Sequence, residues 1–144
     1  MLSSSDILKN GQQLDKLYTK VISQVSAKFG MSKIEVDILL FLYNHPDYDT
    51  ARDIVEVRCI AKSYVSKAVD LLMQKGYLTS MEDKKDRRIL HLSVQASADN
   101  IIREAKEAQE LFMSIIGKGI PEEDQEVLER ILSRVSENIR QAFL

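Results

Sequence analysis

Between Thr50 and Val94 the chain runs through a fixed succession of local patterns, and that succession constrains the fold more than any other feature. Thr50-Ala-Arg-Asp53 sets a capping side chain three positions before an acid, and Ile54, Val55 and Val57 then read as one side of a short helix. Arg58-Cys59-Ile60 makes a tight connection into a second helical pattern, in which Val65, Ala68, Val69 and Leu72 recur at helical spacing. That stripe anchors the second helix to the body and leaves Lys62, Ser63, Tyr64, Ser66 and Lys67 on the outer face. Gly76 stops the helix, being the residue that most cheaply takes a left-handed terminal conformation. Two short runs rich in strand formers follow, Tyr77 to Met81 and Ile89 to Val94, with Leu90, Leu92 and Val94 on one face. Glu82-Asp-Lys-Lys-Asp-Arg-Arg88 is the charged turn between them. Helix, turn, helix and hairpin in that order make a device for reading DNA. Ammonium groups reach guanine acceptors or phosphates, and hydroxyls serve base edges or backbone.

The same order, with Asp83-Lys-Lys-Asp86-Arg87-Arg88 in the hairpin, resembles the MarR (multiple antibiotic resistance regulator) family of bacterial transcription factors. The resemblance implies a winged helix-turn-helix dimer whose second helix enters the major groove, with Lys84, Lys85, Asp86, Arg87 and Arg88 as the wing. It further implies that Arg88 reaches the adjacent minor groove while Asp86 helps to hold it. The physics suits this, because a narrow minor groove concentrates negative potential and favours an inserted arginine. Relatives also hold small aromatic or anionic effectors between the helical domain and the winged module, which makes Tyr18 and Tyr43 candidates for lining such a cleft. A plain place in the core is the stronger reading of both tyrosines. Two positions depart from the family pattern: glycine is frequent where Cys59 stands, and a Ser, Thr or Asp cap where Ala61 stands. A missing cap is worth about 0.5–2 kcal/mol, so the second helix is expected to begin elsewhere, with Ser63 as the candidate start. Arg58 stands where an apolar residue is usual and is expected to reach out of the turn, toward phosphate.

A net charge of −2 looks wrong for a DNA binder until it is divided by region. Residues 58–91 carry eight Lys or Arg against four acids, leaving 12 basic and 18 acidic groups of the totals 20 and 22 for the rest of the chain. The region is therefore +4 and the remainder −6. For steering onto a polyanion, distribution matters more than the total.

The flanking sequence is helical. Leu14, Tyr18, Val21, Val25 and Phe29 keep helical spacing up to Gly30, with Gly11 expected to loosen the first turns. Ser32-Lys-Ile-Glu35 is a capping box, with Met31 and Val36 placed as a hydrophobic staple. The helix it opens carries Val36, Leu39, Leu40 and Tyr43 inward and stops before Pro46. Past the hairpin, Ser97 is the expected cap of a helix striped by Ile101, Ala105, Ala108, Phe112 and Ile115, which Gly117 and Gly119 break. Pro121, suited to a first helical position, opens a last helix with Glu122, Glu123 and Asp124, striped by Leu128, Ile131, Val135 and Ala142. Five Gly and two Pro in 144 residues fit a mainly α chain with a small β-hairpin wing. The terminal helices exceed what a DNA module of about 60 residues needs for its own core. They are expected to form a helical dimerisation domain, residues 1–31 and 97–144, around a winged helix-turn-helix at 32–96. Leu14, Phe112, Ile115, Leu128, Ile131 and Val135 are its expected contacts.

Catalysis finds no support: there is no Ser-His-Asp order, no glycine-rich phosphate loop and no Cys-x-x-Cys pair. No cofactor is called for. His45 and His91 have no second ligand at metal spacing, so no metal is expected. The lone Cys59 reads as packing in the turn in preference to a redox switch with a thiol activated by Arg58 and Lys62. One cysteine, no membrane-length apolar run and a start without signal-peptide layout lead to the expectation of a cytoplasmic protein. The expected function is that of a homodimeric regulator, a repressor, on a pseudo-palindromic operator, with release by an effector implied by the resemblance. The rival is a helical protein-interaction or scaffold module whose basic hairpin is an ordinary solvated turn.

Overall fold

The computed structural model describes residues 1–144. Its helix starts follow side-chain capping chemistry. Ser3 and Asp6 form a reciprocal box that opens α1 (Ser4–Lys28), Ser32 and Glu35 open α2 (Lys33–Asn44), and Thr50 and Asp53 open α3 (Ala51–Arg58). Each box satisfies two amide donors that a helix N-terminus leaves orphaned. The first box lay unread in the sequence, and with it α1 runs unbroken through Gly11. After α3 come α4 (Lys62–Gln74), strands β1 (Leu78–Glu82) and β2 (Leu90–Val94), a 3-10 turn at Ala96–Ala98, α5 (Asp99–Ile116) and α6 (Glu122–Ala142).

The chain divides into two compact units, Met1–Phe112 and Met113–Leu144. In the first, α2 is the centre: every residue from Glu35 to Leu42 is buried. α1, α4 and β2 pack on it, and α3 packs on α4. Val36, Ile38 and Leu39 of α2, Ile22 of α1, Ile54 of α3 and Leu72 of α4 are completely enclosed. Burying a side chain of this size contributes roughly 1.5–3 kcal/mol. The staple residues Met31 and Val36 are both buried, as their positions predict. Tyr43 differs: it is half exposed, and Lys106 Nζ sits 4.2 Å from its ring centroid. Val57 is likewise exposed, because the face of α3 that meets the core is made by Ile54, fully enclosed, and Val55, half-buried beside it.

Two of the buried groups are carboxylates, and both are paired. Glu35 closes the α2 capping box through Oε1 and receives Lys75 Nζ on Oε2 at 2.8 Å, while the same ammonium donates to the Gly30 carbonyl at 3.2 Å. Asp37 receives Lys33 Nζ at 3.1 Å and the Tyr18 hydroxyl at 3.4 Å. Burial of an ion requires such partners.

β1 and β2 pair antiparallel, with Leu78 opposite Val94, Ser80 opposite Leu92 and Glu82 opposite Leu90. Leu78 and Leu92 anchor the hairpin in the core, whereas Leu90, beyond the body, is exposed. On its other edge β2 takes one bond from the loop before α3, Leu92 N donating to the Asp49 carbonyl at 2.7 Å. Ser97 does not cap α5; its hydroxyl donates instead to the Gly76 carbonyl at 2.7 Å, and a 3-10 turn leads into the helix.

In the second unit Gly119, at φ 78°, turns the chain into α6. Pro121 is the cap residue, one place earlier than its sequence pattern indicates, and Gln125 Nε2 donates back to the Ile120 carbonyl at 2.9 Å. No residue of α6 is buried in the single chain.

Candidate nucleic-acid interface

The connection between α3 and α4 is made by Cys59 in the left-handed region, at φ 53° and ψ 37°. It is the one non-glycine residue with positive φ. Its thiol is exposed, so packing does not explain it; the turn constrains the backbone at this position, not the side chain. Ala61 is the N-cap of α4 with no side-chain bond, and the helix begins at Lys62. The start expected at Ser63 is therefore corrected: an uncapped start holds because Val65 and Ala68 are buried directly behind the first turn.

That same burial fixes the outer face. Val65, Ala68, Val69 and Leu72 point into the core, and Lys62, Ser63, Tyr64, Ser66 and Lys67 are exposed. Arg58 is exposed, and its guanidinium also lies 3.9 Å from the buried Asp37 carboxylate, which attracts it.

The wing turn is built by its aspartates. Asp83 Oδ2 accepts the amides of Lys85 and Asp86 at 2.9 and 3.0 Å. Its backbone N–H donates to the Ile89 carbonyl at 2.9 Å, closing the turn. Asp86 in turn accepts the Arg88 amide and Nε on Oδ1 at 3.0 and 3.1 Å, and Arg88 Nη2 on Oδ2 at 3.1 Å. This is the fork geometry in which guanidinium and carboxylate match. Arg88 nevertheless remains 91% exposed, so the pair aims the side chain without withdrawing it from solvent. The Arg88 bond holds the Asp86 carboxyl below its ordinary pKa. Lys84, Lys85 and Arg87 are exposed around it.

Sequence reasoning passed over His91. Far from isolated, its ring sits between two carboxylates, Nδ1 2.8 Å from Asp49 Oδ1 and Nε2 2.8 Å from Asp83 Oδ1. Asp83 and then Asp49 push the imidazole above its usual pKa, and the His91 bond is the main cause that lowers Asp83. Asp49 lies 42 positions away, so no local spacing announces the contact. No group of three or more His, Cys, Asp or Glu is arranged to hold a metal ion, and no helix is long and apolar enough to cross a membrane.

Among the residues expected to mediate dimerisation, Leu14, Ile115, Leu128, Ile131 and Val135 are exposed. Phe112 is half-buried and meets Tyr18 edge-on, with centroids 5.3 Å apart. Tyr18 is partly buried, and its hydroxyl, besides donating to Asp37, accepts Gln109 Nε2 at 3.0 Å. Burial raises its pKa.

Residues 29–89 match the model of the MarR family. No curated protein matches the chain by sequence. Solved structures similar to it include a MarR protein from Peptoclostridium difficile, 18% identical, covering 98% of this chain and 94% of that one at a TM-score of 0.84. A putative MarR family transcriptional regulator from Listeria monocytogenes, in complex with a 26mer DNA, is 18% identical over 93% of this chain and 89% of its own, with a TM-score of 0.84. The MepR–DNA complex of S. aureus is 16% identical over 96% and 99%, with a TM-score of 0.76. At such identities the likeness establishes the winged-helix fold over nearly the whole chain.

Proposed function

We propose that this chain, a winged helix-turn-helix protein of the MarR family, is a sequence-specific transcription regulator that acts as a homodimeric repressor on a pseudo-palindromic operator. The observation that carries the reading is the pairing of two exposed basic features on one module. Lys62 and Lys67 stand on the outer face of α4, and Arg88 stands at the wing tip with its guanidinium held by Asp86. In this reading Lys62, Ser63, Tyr64, Ser66 and Lys67 enter the major groove. Lys84, Lys85 and Arg87 meet phosphate, and Arg88 enters the minor groove with Asp86 holding it. The two similar structures bound to DNA support it.

Residues 32–96 serve as the DNA module, and 1–31 with 97–144 as the dimerisation domain. A two-fold dimer sets its reading helices roughly 34 Å apart, one turn of duplex. A small aromatic or anionic effector releases the operator by changing that interval. Tyr18, touching residues of α2 and α5, is the candidate that links effector and interval.

The test is a salt titration against duplexes selected from a random pool. Affinity should fall steeply with salt, since each neutralised phosphate adds about 0.9 to the slope of log K against log salt. Arg88→Ala should weaken binding by roughly 1–3 kcal/mol. Lys67→Ala should lower affinity and flatten the salt slope by about one phosphate. Parental behaviour in both variants overturns the assignment.

A further inference from the structure

Both ring nitrogens of His91 face carboxylate oxygens, and a carboxylate only accepts. A neutral imidazole has a single N–H and serves one of the two; only the imidazolium donates to both. The protonated ring therefore fastens two segments that approach it from opposite sides. One is the loop before α3, whose Asp49 also holds β2 through the Leu92 amide. The other is the wing, where Asp83 Oδ1 takes His91 and Asp83 Oδ2 takes the amides of Lys85 and Asp86. Asp86 is the residue that orients Arg88. From the loop that leads into α3 to the wing arginine there is thus a continuous series of hydrogen bonds that passes through one imidazole.

We infer that His91 positions the DNA-reading wing, coupling the attitude of Arg88 to the helix-turn-helix through the Asp49–His91–Asp83 bridge. This rests on the DNA-binding reading given above. It adds to that reading a residue that touches no nucleic acid itself, and a dependence on protons. The charged groups facing the ring are Asp49 from the loop and Asp83 from the wing, and both favour its protonated form. Because the folded-state pKa lies above the unfolded one, the bridge is complete at acidic pH. It is lost as pH rises through the folded value. Deprotonation leaves one carboxylate facing a lone pair, and the wing gains freedom relative to α3 and α4.

The test has two arms. In the free protein, imidazole and backbone amide resonances are followed by NMR from about pH 6 to about pH 8.5. The His91 midpoint should lie above that of an ordinary histidine, and the Lys85 and Asp86 amides and Arg88 Nε–H should move with it. Resonances of the wing that stay still through that midpoint overturn the inference.

In the second arm, affinity for a selected duplex at fixed salt should drop roughly threefold or more over the same range in the parent. The same drop is expected in His45→Gln, which removes the only other histidine. His91→Gln, with one donor group and one acceptor, should stay at the weaker level throughout. Asp49→Asn should stay at the tighter level, because its amide donates to Nδ1 while a neutral Nε2–H serves Asp83. A residue that merely packs would not give opposite plateaus for these two variants. If His91→Gln keeps the parental pH profile, the positioning claim fails while the DNA reading stands. If no duplex is bound but the wing amides follow His91, the DNA reading fails and the bridge stands.

Discussion

Cys59 shows how much a single residue can reveal when its backbone is considered before its side chain. The sequence offers a cysteine beside Arg58 and Lys62, which invites a reading in terms of thiol chemistry or of packing. The structure leaves the thiol exposed and holds the residue at φ 53°. For an L-residue the left-handed conformation costs about 1–2 kcal/mol, which glycine escapes. Cys59→Gly should therefore be neutral or stabilising, by up to about 1 kcal/mol after glycine's greater loss of chain entropy. Urea unfolding decides the matter, and a clear loss of stability in the variant would show that the side chain contributes after all. That this place departs from the glycine which the family resemblance leads one to expect was legible in the sequence. Its cause was not, since a φ angle leaves no mark in composition. His91 was hidden for a different reason, because its two partners come from segments that only the fold brings together.

Elements were more legible than single contacts. Capping boxes at Ser32 and Thr50 mark α2 and α3 to the residue, because the signal is local and chemical. Where the deciding contact was remote the pattern misled. Tyr43 continues the apolar spacing of α2 yet emerges beyond the core under Lys106, and Ser97 bonds Gly76 instead of its own helix. The fastening of α2 to α4 belongs to this remote class. Glu35 is 3% exposed and holds both the start of α2 and Lys75 at the end of α4. Lys75→Met removes the ammonium and leaves a buried carboxylate with only its capping partner, at a cost of about 1–3 kcal/mol. Part of that loss should return in the double variant with Glu35→Gln, whose neutral amide tolerates burial. Denaturant midpoints of the four proteins supply the cycle. Strict additivity would mean that the two side chains do not act as a pair.

For the whole molecule, the single chain leaves a large apolar surface uncovered. On α6, Leu128, Ile131, Leu132, Val135 and Ile139 are each between 43% and 54% exposed. Such a stripe on a 21-residue helix exceeds the scattered exposure normal for a monomer. The proposed dimer accounts for it, and the account can be made to fail. Ile131→Glu places a charge at the middle of the stripe, and a two-fold axis doubles the fault. Sedimentation velocity should then show monomers at concentrations where the parent is dimeric. The consequence for DNA follows from geometry: a second reading head tethered to a bound first one acts at an effective concentration in the millimolar range. Losing the tether should weaken binding to a full operator by roughly 10²–10⁴-fold while leaving affinity for an isolated half-site nearly unchanged. A variant that remains dimeric removes α6 from the interface. A monomeric variant with parental operator affinity would separate DNA recognition from dimerisation altogether, and the palindrome would have no physical basis.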